Sequence, residues 1–256
     1  MHIRRSVKMK IDLTGKRALV TGGSQGIGKV ICEELAACGC EVYVNCAHNI
    51  ANAANVADGI TAKGGIAHVM PCDVTDENAV KRMFEELGDL DILVNNARLD
   101  PWLRKANVTE GEWFTQVMEV NLKGAFLCSW EFFHRACKRN YGRIINISSV
   151  RAYRPAEMSN IAYGASKAGM HSMARSFADN GAKYNVTANC ICPGMVVTEN
   201  IDKRLTPEKK AMEMAAIPAQ RGAECSEVAD AVLFLIGNAY ITGSMINVSG
   251  GMYYEA

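Results

Sequence analysis

Seven short apolar runs alternate with longer amphipathic stretches, and this alternation constrains the fold more than any other feature of the sequence. Near-continuous apolar runs of this length are typical of strands buried on both faces of a parallel sheet. The predicted strands are Lys16–Thr21, Glu41–Cys46, Ile66–Pro71, Asp91–Asn95, Arg143–Ser148, Asn185–Cys192 and Met245–Val248. The predicted helices cover about 27–38, 50–63, 76–87, 109–139, 162–184 and 226–236. Right-handed crossovers would place these helices on both faces, so the sequence predicts a doubly wound α/β fold with a seven-stranded parallel sheet.

The organisation along the chain favours a single domain. The 256 residues contain no internal repeat, low-complexity tract or Pro/Ser-rich linker, and α/β folds of this length commonly form one domain. We expect an N-terminal tail at residues 1–11 and one domain at 12–256. The least regular segment, about 195–222, carries a charged helical patch between Pro207 and Pro218. We interpret it as a loop insertion beside a functional site.

Charge and hydropathy exclude several classes of protein. The 28 basic and 27 acidic residues give a net charge of +1, which does not favour nucleic acid or an anionic membrane as a partner. No apolar run approaches the roughly 18 residues of a membrane span. The basic N-terminus lacks the apolar stretch of a secretory signal. We therefore expect a cytoplasmic protein with no nucleic-acid or membrane partner.

Ten cysteines require a separate interpretation. Disulfide frameworks belong to short secreted chains, whereas this chain is long and has no export signal. Cys38/Cys40 and Cys190/Cys192 form C-x-C pairs, but no histidine or second pair lies nearby at zinc-ligand spacing. We predict free thiols that act as small buried residues, away from chelating partners, and no metal site.

A glycine-rich turn follows the first predicted strand and begins a helix. It reads Thr21-Gly22-Gly23-Ser24-Gln25-Gly26-Ile27-Gly28. Glycines at such a junction allow the backbone to approach a pyrophosphate, and the helix N-terminus supplies amide donors and a positive dipole. The position of the turn predicts a dinucleotide-binding site.

The spacing T-G-x-x-x-G-x-G and several later motifs resemble those of the short-chain dehydrogenase/reductase family, from Lys16 to about Gly251. The later motifs are Asp73-Val74, Asn95-Asn96-Ala97, Asn121, Ser149, Tyr163-x-x-x-Lys167, Pro193-Gly194 and Thr198. The resemblance implies a Rossmann-type domain and an NAD(P)-dependent oxidoreductase that acts on a ketone or secondary alcohol. Similar members include 3-oxoacyl-acyl-carrier-protein reductases and sugar dehydrogenases. It also implies a homotetramer or homodimer, with which the apolar stretch 122–133 is compatible.

The resemblance implies a set of cofactor-binding residues along the edge of the sheet. Asp73 would lie near the adenine, Asn95 near the adenosine ribose, and the Pro193–Thr198 segment beside the nicotinamide. Alternatively, Asp73 could cap a helix that starts near Thr75, and Pro193-Gly194 could be only a turn. The full predicted set is Gly22, Ser24, Gln25, Gly26, Ile27, Gly28, Asn45, His48, Asp73, Val74, Asn95, Ala97, Tyr163, Lys167, Pro193, Gly194, Val196 and Thr198.

The end of the second strand bears on which cofactor is preferred. An acidic residue there would hold the ribose 2′-hydroxyl of NAD(H), and its absence tolerates a 2′-phosphate. The segment Val44–Asn49 has no carboxylate, and Ser24, Asn45 and His48 could hydrogen-bond a phosphate. We predict that NADP(H) is favoured over NAD(H), although no arginine or lysine lies at these positions.

Tyr163 and Lys167 lie four residues apart on a predicted helix and therefore share a face. A free tyrosine is a poor base at neutral pH, but a nearby ammonium stabilises its phenolate. The resemblance implies that Tyr163 exchanges a proton with the substrate oxygen. It gives Ser149 the role of hydrogen-bonding that oxygen, with Ser148 as a competing candidate. Asn121 would hold a water that links Lys167 to solvent.

Arg98 departs from the family pattern, which usually has glycine after Asn-Asn-Ala. Trp102 follows it, and Arg151 and Arg154 follow Ser149, so two loops that border the expected cleft are basic and aromatic. These four side chains are candidates for recognising an anionic carboxylate or phosphate on the substrate. Alternatively, the arginines are solvated or pair with carboxylates such as Asp100 and Glu157.

Two other functions remain open at this stage. One is a nucleotide-binding regulator that has kept the fold and lost turnover, against which the intact Asn121, Ser149, Tyr163 and Lys167 argue. The other is a lyase or epimerase that uses the same tyrosine, because fold and motif do not fix the reaction.

Overall fold

All seven predicted strands form in the computed structural model, which describes residues 11–155 and 158–254. The predicted tail at 1–11, apart from Ile11, and the predicted partner Glu157 lie outside these described residues. The strands are β1 (Arg17–Val20), β2 (Glu41–Cys46), β3 (Ile66–Pro71), β4 (Ile92–Asn95), β5 (Gly142–Ile147), β6 (Val186–Pro193) and β7 (Met245–Val248). They pair in parallel in the order β3-β2-β1-β4-β5-β6-β7. This confirms the predicted Rossmann-type fold class.

The burial of the strands follows their position in the sheet. Every residue of β5 and β6 is buried, whereas the edge strand β3 exposes Ile66, His68 and Pro71. Central strands of a parallel sheet are covered on both faces, which is why their sequences read as uninterrupted apolar runs.

Nine α-helices lie among the described residues. They are α1 (Gly26–Ala37), α2 (Ile50–Thr61), α3 (Glu77–Leu87), α4 (Glu110–Met118), α5 (Gly124–Arg139), α6 (Ile161–Gly181), α7 (Glu199–Arg204), α8 (Pro207–Ala215) and α9 (Cys225–Gly237). The helix predicted over 109–139 was wrong as one element, because a π-helical turn, Glu119–Lys123, separates α4 from α5. Apolar periodicity does not reveal such a turn, since it inserts only one extra residue. The segment 195–222 contains α7 and α8.

Two apolar cores pack against the two faces of the sheet. On one face, α1, α2 and α9 contribute side chains such as Ile31, Val56 and Val232. On the other face, α3, α5 and α6 contribute Phe84 and Phe132, among others. Helices on both faces of the sheet are the doubly wound arrangement predicted from the alternation of strands and helices.

The strand order reverses between β1 and β4, which are neighbours although β2 and β3 lie between them in the chain. In open parallel sheets the crevice at such a reversal, beyond the carboxyl ends of the strands, is where ligands bind. The glycine turn after β1 and the Asn95-Asn96-Ala97 turn after β4 meet at this crevice.

All ten cysteines are free thiols. No helix in the described part of the chain is long and apolar enough to cross a membrane. Within residues 11–155 and 158–254, no group of three or more metal-ligating side chains could hold a metal ion.

Candidate active site

The glycine turn after β1 is fastened to the turn after β4 by side-chain hydrogen bonds. Asn96 Nδ2 donates to the carbonyl oxygens of Thr21 and Gly22, each at 2.9 Å. In return, Thr21 Oγ1 accepts from the backbone N–H groups of Asn96 and Ala97, both at 3.0 Å. These contacts fix the shape of the crevice at the reversal of strand order.

Close packing at this turn requires glycine at two positions. Gly22 has φ +62°, and a Cβ there would lie 2.9 Å from Ala97 Cα. At Gly28 a Cβ would lie 2.4 Å from both Gly22 O and Asn96 Nδ2. The adjacent N-terminus of α1 has no side-chain cap and no acidic residue in its first turn. Its free amide donors therefore fit the pyrophosphate of a dinucleotide.

Asn45 does not have the role that the sequence suggested. Its side chain is buried, and its two amide hydrogens are donated to Met70 O and Cys72 O, each at 3.0 Å. Because an asparagine amide has only two donor hydrogens, none remains for a 2′-phosphate. His48 is exposed and Ser24 half-buried, so these two predicted residues remain accessible.

Asp73 accepts hydrogen bonds from the backbone N–H and the hydroxyl of Thr75, both at 2.9 Å. The alternative role of capping a helix near Thr75 is not observed, because α3 starts at Glu77 and is capped by Asp76. Asp73 instead shapes the loop after β3. Val74 is buried and packs against Gly124.

The side chain of Asn95 lies inside the protein. Its amide donates to Ser129 Oγ and to Asn146 Oδ1, both at 2.8 Å. A direct contact between this side chain and the adenosine ribose is therefore not available in this conformation. The role of Asn95 is to join β4 to β5 and α5.

The segment after β6 ends at a helix cap. Gly194 packs so closely that a Cβ would lie 2.7 Å from Met252 Sδ. Val196 is buried and bridges to Ala223, and Thr198 Oγ1 caps α7 by accepting from Ile201 N. Close packing at Gly194 distinguishes this segment from a simple surface turn.

Tyr163 and Lys167 lie on one face of α6, as predicted from their spacing. Their side chains are buried, and Lys167 Nζ lies 5.6 Å from the centre of the Tyr163 ring. Lys167 Nζ donates a hydrogen bond of 2.7 Å to Ile147 O at the end of β5. Burial, reinforced by the charge of Arg98, lowers the pKa of Lys167 to about 7. A buried amine with such a pKa can gain or lose a proton near neutral pH.

The two serines at the end of β5 make different contacts. Ser148 Oγ donates to Lys167 O at 3.1 Å and lies 2.8 Å from His171 Nε2. Ser149 Oγ accepts only from the backbone N–H of Arg151, at 3.2 Å, among the described residues. The hydroxyl hydrogen of Ser149 is therefore available to a substrate oxygen, which favours Ser149 over Ser148.

Asn121 lies in the π-helical turn, where it is fully buried. Its Oδ1 accepts from Leu99 N at 2.7 Å, and its Nδ2 donates to Ser166 Oγ at 3.3 Å. Ser166 Oγ donates in turn to Tyr163 O at 2.7 Å. Asn121 thus connects the loop after β4 to the helix that carries Tyr163.

Arg98 pairs with a carboxylate of its own loop. Its Nη2 lies 3.1 Å from Asp100 Oδ2, and its guanidinium interacts electrostatically with Tyr163. Partial desolvation opposes the charge of Arg98, whose side chain is 38% exposed, but the neighbouring Tyr163 and Asp100 outweigh it and raise the pKa of the guanidinium. The alternative of pairing with Asp100 is therefore observed for this arginine.

The other three substrate candidates have contacts of their own. Arg151 Nη1 donates to Pro155 O and Arg154 Nη1 to Met252 O, each at 3.2 Å. Trp102 stacks against the guanidinium of Arg204 in α7, with 4.1 Å from the guanidinium carbon to the ring centre. Neither Arg151 nor Arg154 pairs with a carboxylate in the described part of the chain.

Sequence reasoning missed some residues that support this site. Thr21, Asn96 and Ser166 hold the backbone together; all three lie within the quoted motifs, but none was assigned a role there. His171 was also missed, one turn after Lys167, where its Nε2 lies 3.3 Å from Cys192 Sγ. The prediction that Cys192 lies away from possible ligands was therefore wrong, because strand alternation says nothing about the helix packed on that face.

The sequence and the structure are similar to those of known oxidoreductases. A family model described as short chain dehydrogenase matches residues 16–209. The 3-oxoacyl-(acyl-carrier-protein) reductase of Aquifex aeolicus is 36% identical over 254 residues, which are 96% of this chain and 100% of the relative.

Two solved structures extend this similarity. A 3-oxoacyl-(acyl-carrier-protein) reductase from Brucella melitensis with bound NAD gives a TM-score of 0.88 at 25% identity, covering 100% of this chain and 97% of that one. A 7α-hydroxysteroid dehydrogenase in complex with NADH and 7-oxo glycochenodeoxycholic acid gives 0.85 at 30% identity, covering 94% and 96%. The chain therefore belongs to the short-chain dehydrogenase family of oxidoreductases.

Proposed function

We propose that this protein transfers a hydride between a nicotinamide cofactor and a ketone or secondary alcohol, with Tyr163 as the acid–base group. The observation that carries the proposal is the pairing of Tyr163 with Lys167 on one face of α6, where the Lys167 amine lies 5.6 Å from the centre of the Tyr163 ring. A phenol beside an amine on the same face of a helix is placed to exchange its proton with a bound substrate oxygen.

The chain's own residues orient the substrate and move the proton. During reduction, the hydroxyls of Ser149 and Tyr163 hydrogen-bond the substrate oxygen and stabilise the negative charge that develops on it. Tyr163 Oη then delivers its proton to that oxygen. The bound dihydronicotinamide supplies the hydride. Lys167 lies beside the phenol as a second group that can gain or lose a proton near neutral pH, and Asn121 holds the helix and the neighbouring loop in register.

The test is Tyr163→Phe, which removes the proton and leaves the ring. We expect kcat to fall by about 10²-fold or more with the fold unchanged, as for loss of a general acid. Ser149→Ala tests the second hydroxyl that binds the substrate oxygen. Its matched control is Ser148→Ala, because both variants remove one hydroxyl at the end of β5. Turnover of Tyr163→Phe above a few per cent of wild type would refute the assignment.

We further propose that NADP(H) is preferred over NAD(H). The support is the exposed segment after β2, which carries His48 and no carboxylate to repel a 2′-phosphate. Because both amide hydrogens of Asn45 are already donated within the protein, Ser24 and His48 are the side chains that could bind the phosphate. Comparison of kcat/KM for NADPH and NADH tests this preference, and His48→Asp is expected to shift it toward NADH. Equal selectivity in wild type and variant would contradict the assignment.

The substrate class we propose is an anionic carbonyl compound. Arg151 and Arg154 each donate to a neutral carbonyl oxygen, and a guanidinium has further donors that suit a carboxylate or phosphate. The 7α-hydroxysteroid dehydrogenase relative binds an oxo acid. Segment 195–222 would cover the substrate, anchored where Arg204 stacks on Trp102. Arg154→Gln is expected to raise KM for keto acids more than for matched neutral ketones, and an equal effect on both would contradict this class.

We also propose that the protein is a homotetramer. A groove of about 900 Å³ runs along α5 and α6, lined by Leu122, Phe126, Trp130 and Met173, among others. Phe126 and Trp130 expose 41% and 49% of their surface, whereas Phe132 of the same stretch belongs to the core. A second copy of the chain would bury these aromatic rings.

Sedimentation of Trp130→Asp tests the assembly. We expect smaller species than for the wild type, while Ile66→Asp on the edge strand keeps the wild-type assembly. A wild-type monomer would refute the proposal.

The ten free thiols fit a reducing compartment, and we propose the cytoplasm as the location.

A further inference from the structure

The loop that follows Ser149 is held at its far end by the segment 249–254, which follows β7. Tyr153, in this loop, stacks on Tyr253, with 4.4 Å between the ring centres and 6° between the ring planes. Nearly parallel rings this close are in stacked contact. Next to this pair, Arg154 Nη1 donates to Met252 O at 3.2 Å. Two consecutive residues of the loop are therefore tied to two consecutive residues of the segment after β7.

The segment after β7 is itself anchored to the rest of the protein. Gly250 O accepts from Ala219 N at 3.0 Å, which joins the segment to the chain after α8. On the side of β6, Gly194 packs so closely that a Cβ there would lie 2.7 Å from Met252 Sδ. The ring of Tyr253 is therefore presented to the loop from a fixed backbone.

The near end of the loop is fixed by the sheet, because the backbone N–H of Ser148 donates to Ile191 O in β6 at 2.7 Å. Tyr153 also packs against α6, where its ring centre lies 4.8 Å from that of His171. Among the described residues, the Ser149 side chain hydrogen-bonds only within the loop. The position of its hydroxyl therefore depends on how the two ends of the loop are held.

We propose that Tyr253 is a positioning residue for Ser149: by stacking on Tyr153 it holds the loop in the conformation that presents the Ser149 hydroxyl to the substrate oxygen. This inference rests on the proposed role of Ser149. It assigns a function to the segment after β7, which is distant from Ser149 in the chain. The same segment fixes Arg154, one of the residues proposed to bind the anionic group of the substrate.

The size of the effect follows from the chemistry of Ser149. Removing a hydrogen-bond donor that stabilises developing charge costs about 10²–10³-fold in kcat. Misplacing a reacting group by about 1 Å costs up to about 10²-fold. We therefore expect Tyr253→Ala to lower kcat for a neutral ketone by about 10- to 10²-fold, and by less than Ser149→Ala does. The dinucleotide crevice lies between the turns after β1 and β4, so the Kd of the cofactor is expected to stay at the wild-type value.

A double-mutant cycle tests whether Tyr253 acts through Ser149. It compares kcat for a neutral ketone in wild type, Tyr253→Ala, Ser149→Ala and the double variant. In the Ser149→Ala background, Tyr253→Ala is expected to change kcat by less than about twofold, because the group that it positions is already absent. A merely structural role would lower kcat by the same factor in both backgrounds, and that result would overturn the inference.

Two further variants separate the stacked ring from other properties of the segment. Tyr253→Phe keeps the ring and is expected to restore wild-type kcat. Tyr254→Ala is the matched control, because Tyr254 is the next residue and is 73% exposed. Equal losses in Tyr254→Ala and Tyr253→Ala would overturn the inference. If Tyr253→Ala does not fold, Tyr253→Leu takes its place in the cycle, because leucine is apolar but has no ring to stack.

Hydrogen exchange of the loop amides, measured without cofactor, needs no turnover. The backbone N–H groups of Ala152, Tyr153 and Arg154 are hydrogen-bonded inside the loop, so their exchange reports its opening. We expect these amides to exchange about 2- to 10-fold faster in Tyr253→Ala, as for the loss of one aromatic pair, and at the wild-type rate in Tyr254→Ala. Unchanged exchange in Tyr253→Ala would overturn the inference.

The inference and the proposed function fail in different measurements. Full turnover by Ser149→Ala would refute the proposed role of Ser149, while the exchange measurement would still decide whether Tyr253 holds the loop. Wild-type kcat in Tyr253→Ala, together with a large loss in Ser149→Ala, would overturn only the positioning role of Tyr253.

Discussion

The burial of the Lys167 amine has a cost in stability, and that cost can be measured by Lys167→Met. The residue is only 1% exposed, and burial lowers its pKa to about 7. The ordinary value is about 10.4, and one pKa unit corresponds to about 1.36 kcal/mol, so the buried amine destabilises the fold by about 4 kcal/mol at neutral pH. The hydrogen bond to Ile147 O offsets part of this, because removing it leaves a carbonyl unpaired at about 1–3 kcal/mol.

The pH dependence of the free energy of unfolding gives a sharper prediction than its value at a single pH. Between about pH 7 and about pH 10, the unfolded chain binds a proton at Lys167 that the folded protein does not, so this residue makes wild-type stability rise with pH. The slope is about 1.4 kcal/mol per pH unit, and Lys167→Met lacks it. The variant is therefore expected to be more stable by about 1–3 kcal/mol near neutral pH, and to lose that advantage as pH rises.

Reversible urea denaturation with reductant, at several pH values and one protein concentration, measures this difference. Cysteines also titrate in this range, but they are common to both proteins and cancel when the curves are subtracted. Lys63→Met, which removes an exposed lysine, controls for the chemistry of the substitution. Parallel stability curves for wild type and Lys167→Met would refute the reasoning.

Three further perturbations test the packing and the buried charges. Gly28→Ala is expected to destabilise the protein by about 1–3 kcal/mol, because the added methyl group overpacks against Gly22 O, and to weaken nucleotide binding measured by calorimetry. In Gly59→Ala, in α2, the added methyl group meets no atom within 4 Å, so this control variant is expected to be more stable by about 0.5–1 kcal/mol. Phe132→Ala is expected to lower the free energy of unfolding, measured by denaturation, by about 3–5 kcal/mol. Phe126 is exposed, so Phe126→Ala is expected to lower it much less at protein concentrations where the chain is monomeric. Burial lowers the pKa of His171 to about 4, so wild-type stability is expected to fall as pH drops from about 6.5 toward 4, and His171→Gln to lack that fall.

The fold could be predicted from the sequence because the residue patterns that specify strands and helices are local and recur along the chain. Apolar runs of strand length specified all seven strands, with β2, β3 and β7 at the observed bounds. Strand ends elsewhere differed by a residue, since the last hydrogen bonds depend on the neighbouring strand. The Tyr163–Lys167 pair needed only helical spacing, because residues four apart on a helix face the same way whatever surrounds them.

The tertiary structure decided the partners of each side chain, which depend on residues distant in the chain. Asn45 lies at the end of its predicted strand, but only the packing of β3 beside it consumes its donors. The π-helical turn at Asn121 has no periodic signature. The position of Arg98 depends on Thr21 and on that turn, which hold the backbone on either side of it. Sequence spacing specifies the face a residue lies on, but the contact across the crevice exists only once the loops of separate strands meet.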